Sequence, residues 1–186
     1  MKFQRNNCLL YAITMPHRPG MRPLEEQVRE ALDAGITMLQ LREKYLSEED
    51  FLREALSIRK LTERYHVPLI INDSLYVTIN SGADGIHIGQ SDLPAREVRA
   101  KLGPDKILGV TAKTVAQALE AEKAGADYLG SGAVFPSPTK TDAIPMSRET
   151  LTAICQSVSI PVVAIGGINA CLLYTSPSPR DVEESR

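Results

Sequence analysis

What most constrains this chain is an alternation. Short, continuous apolar runs of strand length recur along it, and nearly every one is followed by apolar residues at helical spacing. The runs are residues 8–14, 37–41, 67–71, 85–88, 106–110, 126–129 and 160–165. Between the first two, Leu24, Val28, Ala31 and Leu32 recur on one helix face, with Gly35 after them as a C-terminal stop. Ser47 ahead of Glu48, Glu49 and Asp50 predicts an N-cap with acid in the first turn, and a helix to about residue 65. Residues 115–124, closed by Gly125, and 148–156 carry the same helical pattern. Strands that are apolar throughout, rather than at every second position, are buried on both faces. That is the mark of a parallel sheet covered by helices.

Two architectures satisfy such a pattern, an open doubly wound sheet and a (β/α)8 barrel. No Gly-x-Gly-x-x-Gly follows the first strand, which weakens the dinucleotide-binding form of the open sheet. Polar residues follow nearly every run: Gln40, Arg42 and Lys44; Asn72 and Asp73; Gln90 and Asp92; Thr111; Lys140; Gly166 and Gly167. A barrel brings those strand ends to one face, where its active sites lie. The expectation is therefore an α/β chain of (β/α)8 TIM-barrel type.

The totals narrow the function. The chain has 186 residues, enough for one domain with a substantial core. Its 21 basic and 23 acidic residues give a net charge of -2, so there is no electrostatic case for nucleic acid or an anionic membrane. No apolar run approaches the length of a membrane-spanning helix. The first residues have no secretory cleavage pattern. Cys8, Cys155 and Cys171 are an odd number without metal-type spacing, and they read as reduced thiols in a cytoplasmic protein.

Four stretches carry candidate chemistry. In Gln40-Leu41-Arg42-Glu43-Lys44 the alternation along a strand end puts Gln40, Arg42 and Lys44 on one face. Two cations there call for an anion, and a bidentate arginine suits a diphosphate. Asn72-Asp73 and Asp92 follow the third and fourth strands, close enough for both carboxylates to reach one ion. Two hard carboxylates suit Mg2+ shared with substrate phosphates. Asp92 ahead of Leu93-Pro94 also fits a helix cap, with Pro94 as the first helical residue.

The loop leaving the sixth strand, residues 130–140, offers small residues for close backbone approach and two stiffening prolines. Ser137, Thr139 and Lys140 follow as phosphate donors. Gly166-Gly167 sits where barrels bind phosphate through backbone N–H groups. His87, inside an apolar run, reads as a satisfied core residue, and His17 and His66 offer nothing specific. Neither a Ser-His-Asp arrangement nor a cysteine nucleophile is present. Gly-Ala-Asp occurs at 82–84 and again at 125–127, each time joining a helix end to a strand, and reads as structural.

Taken together these segments resemble the thiamine phosphate synthase family. The likeness is carried by Tyr11-Ala12-Ile13-Thr14, Gln40-Leu41-Arg42-Glu43-Lys44 and Ile71-Asn72-Asp73. It continues through the stretch from Gly82 to Gln90 with Asp92, Phe135-Pro136-Ser137-Pro138-Thr139-Lys140, and the stretch from Ile160 to Ile168. The resemblance implies a (β/α)8 barrel and a Mg2+-dependent transferase. Such an enzyme joins 4-amino-2-methyl-5-hydroxymethylpyrimidine diphosphate to 4-methyl-5-(2-phosphoethyl)thiazole and releases diphosphate.

It implies that Gln40, Arg42, Lys44 and Asn72 hold the pyrimidine diphosphate and that Asp73 and Asp92 hold Mg2+. Ser137, Thr139 and Gly167 would contact the thiazole phosphate, and Lys140 the diphosphate. Thr111 keeps the hydroxyl of a position near the pyrimidine where serine is usual. Lys140, Arg42 and Thr111 are the expected catalytic set. Small molecules are the only partners implied, and the oligomeric state is not readable.

Some positions depart from the pattern. Ser74 stands where an arginine often follows Asn-Asp. Lys113 stands where a histidine is common, the histidine expected to act in related thiazole tautomerases, which argues against an isomerase. After Asn169-Ala170 the chain runs into Cys171-Leu172-Leu173-Tyr174-Thr175-Ser176-Pro177, without helical period and unlike the family's last helix and strand. Measured against the family, the expectation is thus a barrel truncated after strand seven. Residues 1–170 form one domain that lacks the eighth unit, and residues 171–186 form a disordered, non-family tail. An inactive phosphate-binding barrel fragment is the third reading, beside the synthase and the isomerase.

Overall fold

The computed structural model describes residues 3–16, 20–135 and 146–166. A 3-10 turn, Arg5–Cys8, precedes β1 (Tyr11–Ile13), so the first apolar run is part turn and part strand. The elements then alternate: α1 (Leu24–Asp33), β2 (Met38–Leu41), α2 (Glu48–Tyr65), β3 (Leu69–Asn72), α3 (Leu75–Asn80), β4 (Gly85–Ile88) and α4 (Ala95–Leu102). They continue with β5 (Ile107–Thr111), α5 (Val115–Lys123), β6 (Tyr128–Gly132), α6 (Arg148–Ser157) and β7 (Val162–Ile165). The seven strands form one sheet in sequence order, every neighbouring pair parallel.

The helices begin and stop where their end residues dictate. The Ser47 hydroxyl accepts the Asp50 N–H at 3.1 Å, satisfying a donor that the first turn of α2 cannot pair internally. Phe51, Ala55, Ile58 and Leu61 then fall on one buried stripe. His66 ends the helix in the left-handed region at φ 56. Ser74, Thr114 and Ser147 cap α3, α5 and α6 in the way that Ser47 caps α2.

The sheet is curled. In a flat sheet β1 and β6 would lie about 24 Å apart, five spacings of about 4.8 Å. Instead the Tyr11 and Tyr128 rings meet edge to face with centroids 5.7 Å apart. Side-chain alternation sorts the core accordingly. Leu39, Leu41, Leu69 and Ile71 face outward into the apolar cluster under α1 and α2. Ile86, Ile88, Leu108, Val110 and Leu129 face outward into a second cluster, with Val98 of α4, Ala118 of α5 and Ile154 of α6. Met38, Ile70, Ile107 and Tyr128 face inward and meet one another with Tyr11 and Val163. This is the wall and interior of a TIM-type α/β barrel running through seven strands, as expected.

The two Gly-Ala-Asp segments do the same structural work. The Asp84 Oδ2 accepts the Leu69 N–H at 2.9 Å and the Arg59 guanidinium at 2.7 Å. The Asp127 Oδ2 accepts the Leu108 N–H at 2.8 Å and the Arg99 guanidinium at 2.7 Å. Each aspartate pins the start of the strand before its own to an arginine of an outer helix, at the end of the barrel away from the polar strand ends. Among the described residues no helix is long and apolar enough to cross a membrane. The expected boundary at residue 170 and the tail 171–186 lie outside the described residues.

Candidate active site

Alternation also decides which side chains reach the interior at the C-terminal ends of the strands. Counting by twos from the inward residues Met38, Ile70 and Tyr128 places Gln40, Asn72 and Gly130 on the same face. His87 of β4 and Thr111 of β5 join them, since the His87 imidazole reaches both Tyr128 and Thr111. The upper interior is therefore polar where the lower interior is apolar. Gln40 is only 3% exposed and Asn72 only 8%, so both are buried polar groups that need partners.

The charged residues form the rim. Arg42 follows β2 and is half-buried, its backbone N–H donating to the Thr14 hydroxyl at 2.9 Å. Lys44 is more exposed and brings its Nζ to 3.6 Å from the Asp73 Oδ2. Asp73 follows β3 with a left-handed backbone, φ 64, while its N–H extends the ladder to the His87 carbonyl at 2.9 Å. This turn aims its carboxyl at that of Asp92, within hydrogen-bonding reach. Half-burial and then the Asp92 charge push the Asp73 carboxyl above the ordinary carboxylate range, with Lys44 opposing them.

Asp92 does not cap α4. Pro94 occupies the N-cap position without a side-chain bond, and the Asp92 Oδ2 instead accepts the Gly89 N–H at 2.6 Å. The helix-cap alternative is thus replaced by a loop-closing role that leaves the carboxylate facing Asp73.

Two mutually repelling carboxylates beside one lysine suit a divalent cation, because an ion between them turns repulsion into attraction. Among the described residues no group of three or more His, Cys, Asp or Glu could hold a metal, so the remaining ligands would be water and phosphate oxygens. A cleft of about 420 Å3 opens beside Asp73, lined by Asn72 and Asp73 together with Glu43, Glu48, Leu46, Phe51 and Leu93. Ser74, the departure after Asn-Asp, accepts the Val77 N–H as the α3 cap. Lys113 is exposed, its backbone N–H taken by the Gln117 side chain at 2.8 Å.

The loop after the sixth strand begins later than its sequence indicates, because β6 runs on through Gly130 and Ser131 to Gly132. Beyond it the pairing with the seventh strand continues: the Val134 N–H donates to the Ile165 carbonyl at 2.9 Å and the Phe135 N–H to the Gly166 carbonyl at 3.0 Å. Residues 133–135 thus run on beside Ile165 and Gly166. Gly166 is required there, since its φ is 101 and a Cβ would lie 2.6 Å from Ala133. Ser137, Thr139, Lys140 and Gly167 lie outside the described residues.

Sequence reasoning missed the interior line of polar groups. The Gln40 Nε2 donates to the Tyr11 hydroxyl at 2.7 Å, and that hydroxyl meets the Tyr128 hydroxyl at 2.7 Å. The Tyr128 hydroxyl lies 3.1 Å from the His87 Nδ1, whose ring Nε2 lies 3.0 Å from the Thr111 Oγ1. Burial pushes both tyrosine hydroxyls well above their ordinary range, so they stay protonated. His87 is satisfied, as its apolar run implies, but by members of the site. The only sequence signal is inward parity: Tyr128 stands two residues before Gly130 on a strand whose even positions face the interior.

Comparison with known proteins follows the same lines. The family model described as thiamine monophosphate synthase matches residues 10–174. A thiamine-phosphate synthase of Ruminiclostridium cellulolyticum is 53% identical over 161 residues, covering 87% of this chain and 77% of that protein. One from Clostridium tetani is 49% identical over 163 residues, covering 88% of this chain and 78% of the relative. The solved thiamine phosphate pyrophosphorylase of Pyrococcus furiosus superposes with a TM-score of 0.81 at 38% identity, covering 97% of this chain and 83% of that one.

Proposed function

We propose, from the premise that this chain belongs to the thiamine monophosphate synthase family, that it condenses 4-amino-2-methyl-5-hydroxymethylpyrimidine diphosphate with 4-methyl-5-(2-phosphoethyl)thiazole. Thiamine phosphate and diphosphate are the products, and the enzyme works in the cytoplasm. The observation that carries the reading is the meeting of Asp73, Asp92 and Lys44 at the rim above a polar interior. It is the charge pattern of a site for a metal-bound diphosphate.

Asp73 and Asp92 hold Mg2+, which when bound neutralises charge on the diphosphate. Lys44 and Arg42 offer the cationic rim on which the same diphosphate rests, the arginine in bidentate fashion. Gln40, Asn72 and Thr111 line the pyrimidine side. Ser137, Thr139 and Gly167 take the thiazole phosphate, and Lys140 takes the departing diphosphate. The carbon that loses the diphosphate is attached to an aminopyrimidine ring able to delocalise positive charge. The chain's task is then to stabilise the leaving charge and hold the thiazole nitrogen in line, not to supply a nucleophile. That suits a site in which polar and charged groups converge at the strand ends.

A Mg2+ titration of product formation tests the metal assignment. Wild type is expected to saturate with Mg2+, whereas Asp92→Asn should need at least tenfold more. Equal Mg2+ dependence in the two proteins would contradict the assignment.

A further inference from the structure

The line from Gln40 to Thr111 has a direction, and the direction can be worked out bond by bond. The Tyr11 oxygen already accepts from the Gln40 amide, so the Tyr11 proton goes on to Tyr128. The Tyr128 proton goes to the His87 Nδ1, which places the imidazole proton on Nε2, where it donates to the Thr111 Oγ1. Thr111, having accepted, keeps its own proton for a ligand. Gln40, having donated through nitrogen, keeps its carbonyl oxygen for a ligand. Turning the Gln40 amide over reverses every bond: Gln40 would then offer N–H outward, and Thr111 only lone pairs.

We propose that Tyr11, Tyr128 and His87 are positioning residues that lock the hydrogen-bonding senses of Gln40 and Thr111 to each other, so that the two ends always present one acceptor and one donor. Resting on the function proposed above, this makes the pocket a reader of an aminopyrimidine edge, in which an amino donor lies beside a ring-nitrogen acceptor. The senses shown outward by β2 and β5 match that edge together or fail together.

The interior is shaped for this line. A Cβ on Gly109 of β5 would fall 2.2 Å from the Tyr128 ring and 2.5 Å from the His87 Nδ1, so only glycine admits their contact. A Cβ on Gly130 of β6 would lie 3.0 Å from the His87 Cε1. Phe3 stacks on Tyr128 with centroids 5.9 Å apart, while Tyr11 meets the same ring edge to face, holding its hydroxyl in place. Because both tyrosines stay protonated, the line relays hydrogen-bond sense without moving net charge.

The test reads the two His87 ring nitrogens by 15N NMR in the full chain. In wild type the proton is expected on Nε2. Q40E replaces the donor with a group that only accepts once ionised, so between pH 7 and 9.5 the proton should move to Nδ1, three hydrogen bonds away. Y128F cuts the line, and adding Q40E to it should leave the tautomer as in Y128F alone. An unmoved tautomer in a folded Q40E overturns the relay.

A second measurement stands if Q40E does not fold. The isosteric Y128F should lose at least tenfold of the preference in kcat/KM for the 4-amino over the 4-oxo pyrimidine diphosphate. The loss should come through the pyrimidine KM, with the thiazole phosphate KM unchanged, and an unaltered preference overturns the relay. Turnover by wild type with an unmoved tautomer overturns the relay alone. A moved tautomer with no turnover overturns the proposed function and leaves the relay standing.

Discussion

The two ends of this barrel use aspartate in opposite ways. At the N-terminal ends of the strands, Asp84 and Asp127 each take one backbone N–H and one arginine on the same oxygen. At the C-terminal ends, Asp73 and Asp92 face each other, with Lys44 3.6 Å from Asp73 and the Gly89 N–H on Asp92, and the Asp73 carboxyl is raised. Satisfied charge at one end holds the fold. Two carboxylates repelling each other at the other end are a standing cost to the fold and a capacity to bind. Elements that look alike in sequence, an aspartate beside a strand, are separated by whether an arginine of the chain balances the charge or a second carboxylate opposes it.

Substitutions should break that contrast cleanly. The largest effect is expected for Asp73→Asn, about a hundredfold to a thousandfold loss of turnover, the scale seen when one preorganised electrostatic group is removed. Its melting temperature should hold or rise, because a repulsion is relieved. A comparable loss of melting temperature would mean that Asp73 is structural after all. Asp84→Ala is the mirror experiment. It leaves Arg59, with 21% side-chain exposure, without its buried partner, and should cost about 3–5 kcal/mol in denaturant unfolding. Turnover per folded molecule should be unchanged.

Gly109→Ala is intermediate. Overpacking against Tyr128 and His87 should cost about 1–3 kcal/mol and raise the pyrimidine KM, measured by unfolding and by initial rates.

The smallest effect sharpens the contrast through pH. Glu54 of α2 sits on the rim side with one carboxylate oxygen buried and unpartnered among the described residues. Burial, and then the charge of Glu43, push it up to about 7 from an ordinary 4.5. The folded chain therefore holds this proton more tightly than the unfolded chain. Stability contributed by Glu54 is lost as pH rises from about 4.5 through 7, and is level above that. E54Q should melt at a higher temperature than wild type at pH 8, with the gap closing toward pH 4.5. A gap independent of pH would contradict the cause assigned here.

Much of this was legible from the residues. Continuous apolar strands of four or five residues could only be buried on both faces, so the parallel sheet and its covering helices followed. Ser47 and Gly35 marked ends because their chemistry is local. β4 was placed at its observed bounds, since Asp84 of the Gly-Ala-Asp joint precedes it and Gly89 follows it. Strand ends elsewhere slipped where the ladder continues past the apolar run, by one residue at Asn72 and Thr111 and by three at Gly132.

Tertiary choices were harder to read. Asp92 also fitted a helix cap beside its metal reading, yet a turn closed on the Gly89 N–H and Pro94 took the N-cap position. The line through Tyr11, Tyr128 and His87 depends on curling that brings β1 against β6, 117 residues apart in the chain. Local pattern carries no trace of that.

The most direct measurement of the central claim is thiamine phosphate formation by the purified chain from both substrates with Mg2+. Wild type is expected to give thiamine phosphate and diphosphate in equal amounts, and neither when one substrate or the metal is withheld. Diphosphate released at the same rate without the thiazole phosphate, or a full yield from Asp73→Asn, would contradict the account.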